Sequence, residues 1–134
     1  MTAAITAARL GKSVLLIERN ERLGRKLAIT GKGRCNVTNN CSVEEALANV
    51  PRNAKFLYGA FAKFPPSETM AFFEELGVPL KTERGKRVFP VSDKAGDVVA
   101  ALERELRRLD VKIAREKALS LIIDDNACRG VKTS

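Results

Sequence analysis

The chain has 134 residues, 45% of them hydrophobic and 30% charged, with 24 lysines and arginines against 16 acids and a formal net charge of +8. That length supports one domain with a core of its own, and the composition is that of a folded chain rather than a disordered one. No apolar run approaches the roughly 18 residues a membrane helix needs. Arg9 and Lys12 follow the first apolar stretch instead of preceding it, so a signal peptide is not expected either.

Met1 to Leu10 predicts a helix, alanine-rich, with Ile5 and Leu10 apolar and Gly11 at the C-cap position. Lys12 to Glu18 predicts a strand buried on both faces, as central parallel strands are, with the run Val14-Leu15-Leu16-Ile17 ending on Glu18. Helix, glycine and a buried strand ending in an acid make up the second half of a βαβ unit. Its first half, a strand and a Gly-rich turn, is expected upstream of Met1.

The stretch Gly24 to Asn39 comes next, with Gly24, Gly31 and Gly33 among Arg25, Lys26, Lys32 and Arg34. Glycines let the main chain approach a ligand closely, and successive free N–H groups form an anion-binding nest. Arginine and lysine add charge that suits phosphate. A solvated basic surface loop has the same composition; the position just after a strand ending in an acid favours a phosphate cradle.

Ser42-Val43-Glu44-Glu45 is a capping box, predicting a short helix to about Asn49 that stops at Pro51. Phe56, Leu57, Ala60, Phe61 and Phe64 recur at helical spacing and predict a second helix ending at Pro65-Pro66. Ser67 is expected to cap a third, with Met70, Phe73 and Leu76 inward and Gly77 closing it. The aromatic stripe of these helices reads as core. Leu80 to Val91 predicts a hairpin with Glu83-Arg84-Gly85-Lys86 at its turn, and Pro90 points to an edge strand. Asp93 to Leu109 is an amphipathic helix with Val98, Val99, Leu102, Leu106 and Leu109 on one stripe. Val111 to Ala114 is a short strand. Leu119–Ile123 and Cys128–Lys132 flank Asp124-Asp125-Asn126 as a second hairpin.

Three cysteines, Cys35, Cys41 and Cys128, with no Cys-x-x-Cys pair and no histidine, argue against structural zinc and against a disulfide framework. Reduced thiols in a cytoplasmic protein are the expectation. Cys35, beside Lys32 and Arg34, has neighbours that would favour a thiolate; the alternative is a small side chain packed under the loop. The only dense basic cluster, Arg22 to Arg34, contains no aromatic residue for base stacking, so a bound anionic cofactor explains it better than nucleic acid does. A polyanion-binding module using that cluster is the competing reading. Glu18, at the carboxyl edge of the sheet, is placed to accept hydrogen bonds from ribose hydroxyls.

The run Leu15-Leu16-Ile17-Glu18, then Gly24-Arg25-Lys26 and Thr30-Gly31-Lys32-Gly33-Arg34-Cys35-Asn36-Val37-Thr38-Asn39, resembles a bacterial FAD-dependent oxidoreductase family that includes aminoacetone oxidase and a bile-acid reductase. Phe56-Leu57, Phe72-Phe73, Gly77-Val78, Arg87 to Ala95, Val98-Val99 and Leu102 extend the resemblance over essentially the whole chain. It implies an FAD-binding domain of the glutathione-reductase type, with a Gly-x-Gly-x-x-Gly turn before Met1 and further domains beyond the residues given. On that resemblance Glu18 would hold the adenosine ribose, and Arg25 and Lys26 would lie near the ribose and pyrophosphate. Gly31, Gly33, Arg34, Cys35 and Asn36 would line the path toward the flavin, and Ala118 would offer backbone bonds to the adenine. Arg87 is a candidate to face flavin or substrate, with an exposed hairpin cation as its alternative.

The reading is therefore an α/β fold. Residues 1–134 form part of a doubly wound, Rossmann-like FAD-binding domain with an added β-hairpin or meander, from a cytoplasmic flavoprotein oxidoreductase. NADH or NADPH is a candidate electron donor and a small molecule the expected substrate, with no membrane partner. An unpaired sheet edge where the first strand belongs is expected to invite self-association.

Overall fold

The computed structural model describes residues 1–134. In chain order the helices are α1 (Thr2–Arg9), α2 (Arg25–Ile29), α3 (Val43–Ala48), α4 (Tyr58–Lys63), α5 (Pro66–Glu75) and α6 (Ala95–Arg108). The strands are β1 (Leu15–Ile17), β2 (Thr38–Asn39), β3 (Leu80–Thr82), β4 (Arg87–Pro90), β5 (Lys112–Ala114), β6 (Ala118–Asp124) and β7 (Ala127–Thr133). Short 3-10 turns cover Thr30–Gly33, Ala54–Leu57 and Arg84–Lys86. None of the helices is long and apolar enough to cross a membrane. The chain divides into two units, residues 1–25 with 102–134 and residues 26–101; α6 starts in the second and runs on into the first.

In the first unit α1 ends as its sequence predicts. The N–H groups of Leu10 and Gly11 return to carbonyls of the last turn, and Gly11 takes a φ of 73°, a conformation a side chain resists. β1 and β5 pair in parallel, Leu15 opposite Lys112 and Ile17 opposite Ala114, and Glu18 N–H continues the ladder to the Ala114 carbonyl. The expectation that this strand is buried on both faces does not hold. Leu15 is 59% exposed and its neighbours are half-buried, because the sheet has two strands and β1 a single hydrogen-bonded neighbour. Leu102, Leu106 and Val111 are buried. β6 and β7 form the expected hairpin, turned by Asp125 and Asn126 with φ of 47° and 56°, the pair of positive values that matches strand twist in two-residue hairpin loops.

The second unit holds the three-stranded sheet β2-β4-β3. The β3–β4 hairpin was expected, but β4 is central, not the edge that Pro90 suggested. Thr38 and Asn39 pair with Val88 and Arg87 and stop short of Pro90, so the missing proline N–H interrupts no ladder bond on that side. Ser42 caps α3, its hydroxyl accepting the Glu45 N–H at 3.1 Å. Ser67 does not cap α5. The N-cap is Pro65 and Pro66 takes the first turn, where its fixed φ suits the helix and no N–H is needed. Gly77, with φ of 79°, ends α5 as predicted. The aromatic stripe splits. Phe72 and Phe73 are buried and meet edge-to-face at 5.2 Å between centroids, and the more exposed Phe64 meets Phe72 edge-to-face at 5.9 Å, whereas Phe56 is 86% exposed and Tyr58 also faces outward. Helical spacing identified the apolar face but not whether anything covers it.

Candidate functional site

Glu18 closes β1 at its carboxyl end, where a parallel strand presents its last residue to a ligand. Its Oε1 accepts the Asn20 N–H at 2.8 Å and the Asn20 side-chain amide as well, leaving Oε2 as a further acceptor. These bonds, the backbone one foremost, hold the carboxyl below the usual glutamate range, so it is ionised at neutral pH. Arg25 Nη1 donates to Asn20 Oδ1 at 3.1 Å, and Arg115 Nη1 donates to the Asn20 carbonyl at 3.1 Å. Asn20 thus ties Glu18 and Arg25 together. The sequence reading passed over it, although an Asx side chain two residues after a strand end is a turn signal. Ala118 opens the β6–β7 hairpin opposite Thr133 and is exposed.

The other candidates share one loop of the second unit. Gly31, Lys32, Gly33 and Cys35 all have positive φ, between 55° and 84°. At Gly31 a Cβ would come within 3.0 Å of both Asn36 N and Phe89 Cε1, so space as well as conformation demands glycine there. A Cβ on Gly33 would meet nothing within 4 Å, which leaves open ground above that residue. Part of the expected nest is closed, however. Arg34 N–H donates to the Gly31 carbonyl at 3.3 Å and Cys35 N–H to the Thr30 carbonyl at 3.0 Å, so the loop satisfies these groups itself. Lys26, Lys32 and Asn36 are exposed. Cys35 is fully buried, and burial pushes its thiol up, against a thiolate and in favour of the packed side chain.

Arg34 does not point its charge at solvent. Nη1 and Nη2 fork onto Glu83 at 3.2 and 2.5 Å, Nε and Nη2 donate to Asp93 Oδ1 at 2.8 and 2.6 Å, and the guanidinium lies 4.1 Å from the Phe89 ring centroid. Lys81 Nζ completes the group on Asp93 Oδ2 at 2.6 Å. Arginine and lysine hold both carboxyls below their usual range. Glu83 and Asp93 lie 49 and 59 residues from Arg34, a distance no local pattern spans. Arg87 is exposed, with Nε on the Arg84 carbonyl at 3.1 Å.

The HI0933-like protein Rossmann domain family matches residues 1–134, and the chain belongs to that family. It is 39% identical over 126 residues to 3-dehydro-bile acid delta(4,6)-reductase of Clostridium scindens, across 90% of this chain and 30% of that protein. It is 29% identical over 126 residues to ribosomal RNA dihydrouridine synthase of Escherichia coli and 27% identical over 120 residues to the enzyme of that name from Haemophilus influenzae. The chain spans 29–31% of the length of these relatives.

Proposed function

We propose that this chain, as a member of the HI0933-like Rossmann family, is the FAD-binding part of a flavoprotein oxidoreductase. The observation that carries the reading is the family match over residues 1–134, joined by a relative whose name is that of a reductase. The residues present fit the cofactor. Glu18 is an ionised acceptor with one oxygen open, fixed by Asn20 at the end of a parallel strand, where a ribose is held in dinucleotide-binding βαβ units. Arg25 and Lys26 follow on α2 as cations for ribose and pyrophosphate. Gly33 gives backbone that a planar ring can approach, with Gly31, Arg34, Cys35 and Asn36 shaping that loop, and Ala118 offers strand backbone to the adenine. The flavin would supply the hydride chemistry, recharged from NADH or NADPH, while these residues bind and orient it.

The names of the relatives suggest the reaction class. In a 3-dehydro bile acid, delta-4,6 double bonds are conjugated with the 3-oxo group, and dihydrouridine is uridine saturated at the ring double bond beside a carbonyl. Both are two-hydrogen additions to a carbonyl-activated alkene. We assign that class to the whole protein, with a small-molecule enone as the first substrate class and, on the two synthase relatives, an RNA uracil as the second.

The test is the visible absorbance of the purified chain, and of a version extended at both ends, after FAD is added and unbound flavin removed. Retained flavin bands in the extended protein support the reading. No flavin in either protein overturns it and moves the polyanion-binding module to the front. Salt separates these two, because phosphate-backbone binding collapses as salt rises and a flavin held in a pocket does not.

A further inference from the structure

The loop Gly31–Asn36 holds a conformation that its own residues resist. Lys32 and Cys35 sit at φ of 57° and 62°, in the left-handed region that a Cβ disfavours, flanking Gly33 at 84°. Such backbone persists only where the surroundings over-determine it. The bonds within the loop are few, the Arg34 and Cys35 N–H groups reaching back to Gly31 and Thr30. The strongest ties leaving it are those of Arg34, forked onto Glu83 and Asp93 and stacked on Phe89 of β4.

Those ties also determine what Arg34 can offer a ligand. Four of its five N–H donors are committed to carboxylates. Arg34 and Lys81 against Glu83 and Asp93 sum to zero formal charge. The cluster itself therefore adds no net charge to attract an anion. We propose that Arg34 is a positioning residue: through Glu83 and Asp93 it fastens the Gly31–Asn36 loop to the segments on either side of β4, keeps Cys35 covered and fixes the loop backbone for the ligand, without touching the ligand itself. Its ligand-binding side rests on the FAD reading above; its structural side does not.

The two sides are tested together in a Cys41→Ser/Cys128→Ser background, where Cys35 is the sole thiol. One readout is the rate at which a maleimide labels Cys35, and the other is FAD affinity from titration of the flavin absorbance. Arg34→Gln and the pair Glu83→Gln/Asp93→Asn are each expected to speed labelling and weaken FAD on the order of tenfold, the worth of one charge-assisted hydrogen bond. Arg34→Lys, which keeps the charge and loses the fork, should fall between. Its thermal midpoint, read alongside, separates a loosened loop from a failed fold. If the Glu83/Asp93 pair of substitutions leaves labelling at the parent rate, the fastening role is wrong. If that pair leaves FAD affinity unchanged or tighter while Arg34→Gln weakens it, Arg34 contacts the ligand directly and the proposal falls. If neither the parent nor its extended version binds FAD, the flavin reading fails, and labelling alone decides the fastening role.

Discussion

Two arginine–carboxylate clusters, one in each unit, use the same chemistry at different depths. Glu105, on α6, is 6% exposed; its Oε1 accepts Arg9 Nε at 2.9 Å and its Oε2 accepts Arg108 Nε at 2.7 Å. Asp93, beside Arg34, is 42% exposed. The buried carboxylate is held at about pKa 2, chiefly by Arg108, against desolvation that works the other way. It cannot lose its partners without being left charged in a dry place. The half-buried cluster around Arg34 keeps more access to water, so its value lies less in stability than in the loop geometry it imposes.

The largest expected effect is therefore at Glu105. Glu105→Ala removes the carboxylate that Arg9 and Arg108 share and should lower unfolding free energy by about 2–3 kcal/mol, below the usual range for a buried pair because Arg108 is 64% exposed. A urea midpoint measures it, and a loss no greater than that of an exposed pair would erase the distinction between the clusters. The pH dependence has a definite sign. The folded value of about 2 lies below the ordinary 4.5, so this stability is complete above pH 4.5 and is lost as pH falls toward 2. Glu105→Gln should flatten that acid limb.

Gly31→Ala comes next and tests the loop side without touching an ion pair. The added methyl meets Asn36 N and Phe89 Cε1 at 3.0 Å and must hold a φ of 55°, for a cost of about 2 kcal/mol. The same substitution at Gly33, which has open space, should cost about 1 kcal/mol, the conformational part alone. Equal costs at the two glycines, in paired thermal melts, would show that Phe89 gives way and that the loop is not tightly seated on β4.

How far the sequence foretold this depended on the range of the interaction. The α1 stop at Gly11, the amphipathic stripe of α6 and the Asp125-Asn126 turn are set by neighbours a few residues away, and they appear where the pattern put them. Glu18 at the end of a strand was legible for the same reason. The burial of β1 was misjudged because an apolar run reports what a strand could bury, not how many layers cover it. Phe56 failed likewise. β2 went unseen because two residues carry no period, and the pairing of Arg34 with Glu83 and Asp93 because it closes over half the second unit's sequence. Read locally, Arg34 was one more cation for phosphate; its partners make it a fastener.

The smallest effect expected is at α3, where sequence and structure disagree about one side chain. Ser42 and Glu45 read as a capping box, and Ser42 does its half by accepting the Glu45 N–H. The Glu45 carboxylate instead accepts Lys86 Nζ at 2.8 and 2.6 Å, an exposed pair. Ser42→Ala should then cost about 1 kcal/mol, the worth of a lost N-cap. Glu45→Gln should leave the thermal midpoint within error, because a surface ion pair contributes little and glutamine serves the N3 position of a box as well as glutamate does. A clear drop with Glu45→Gln would mean that even an exposed pair can carry stability here. The contrast between Glu105 and the Arg34 cluster would then have to be argued from geometry alone, without burial.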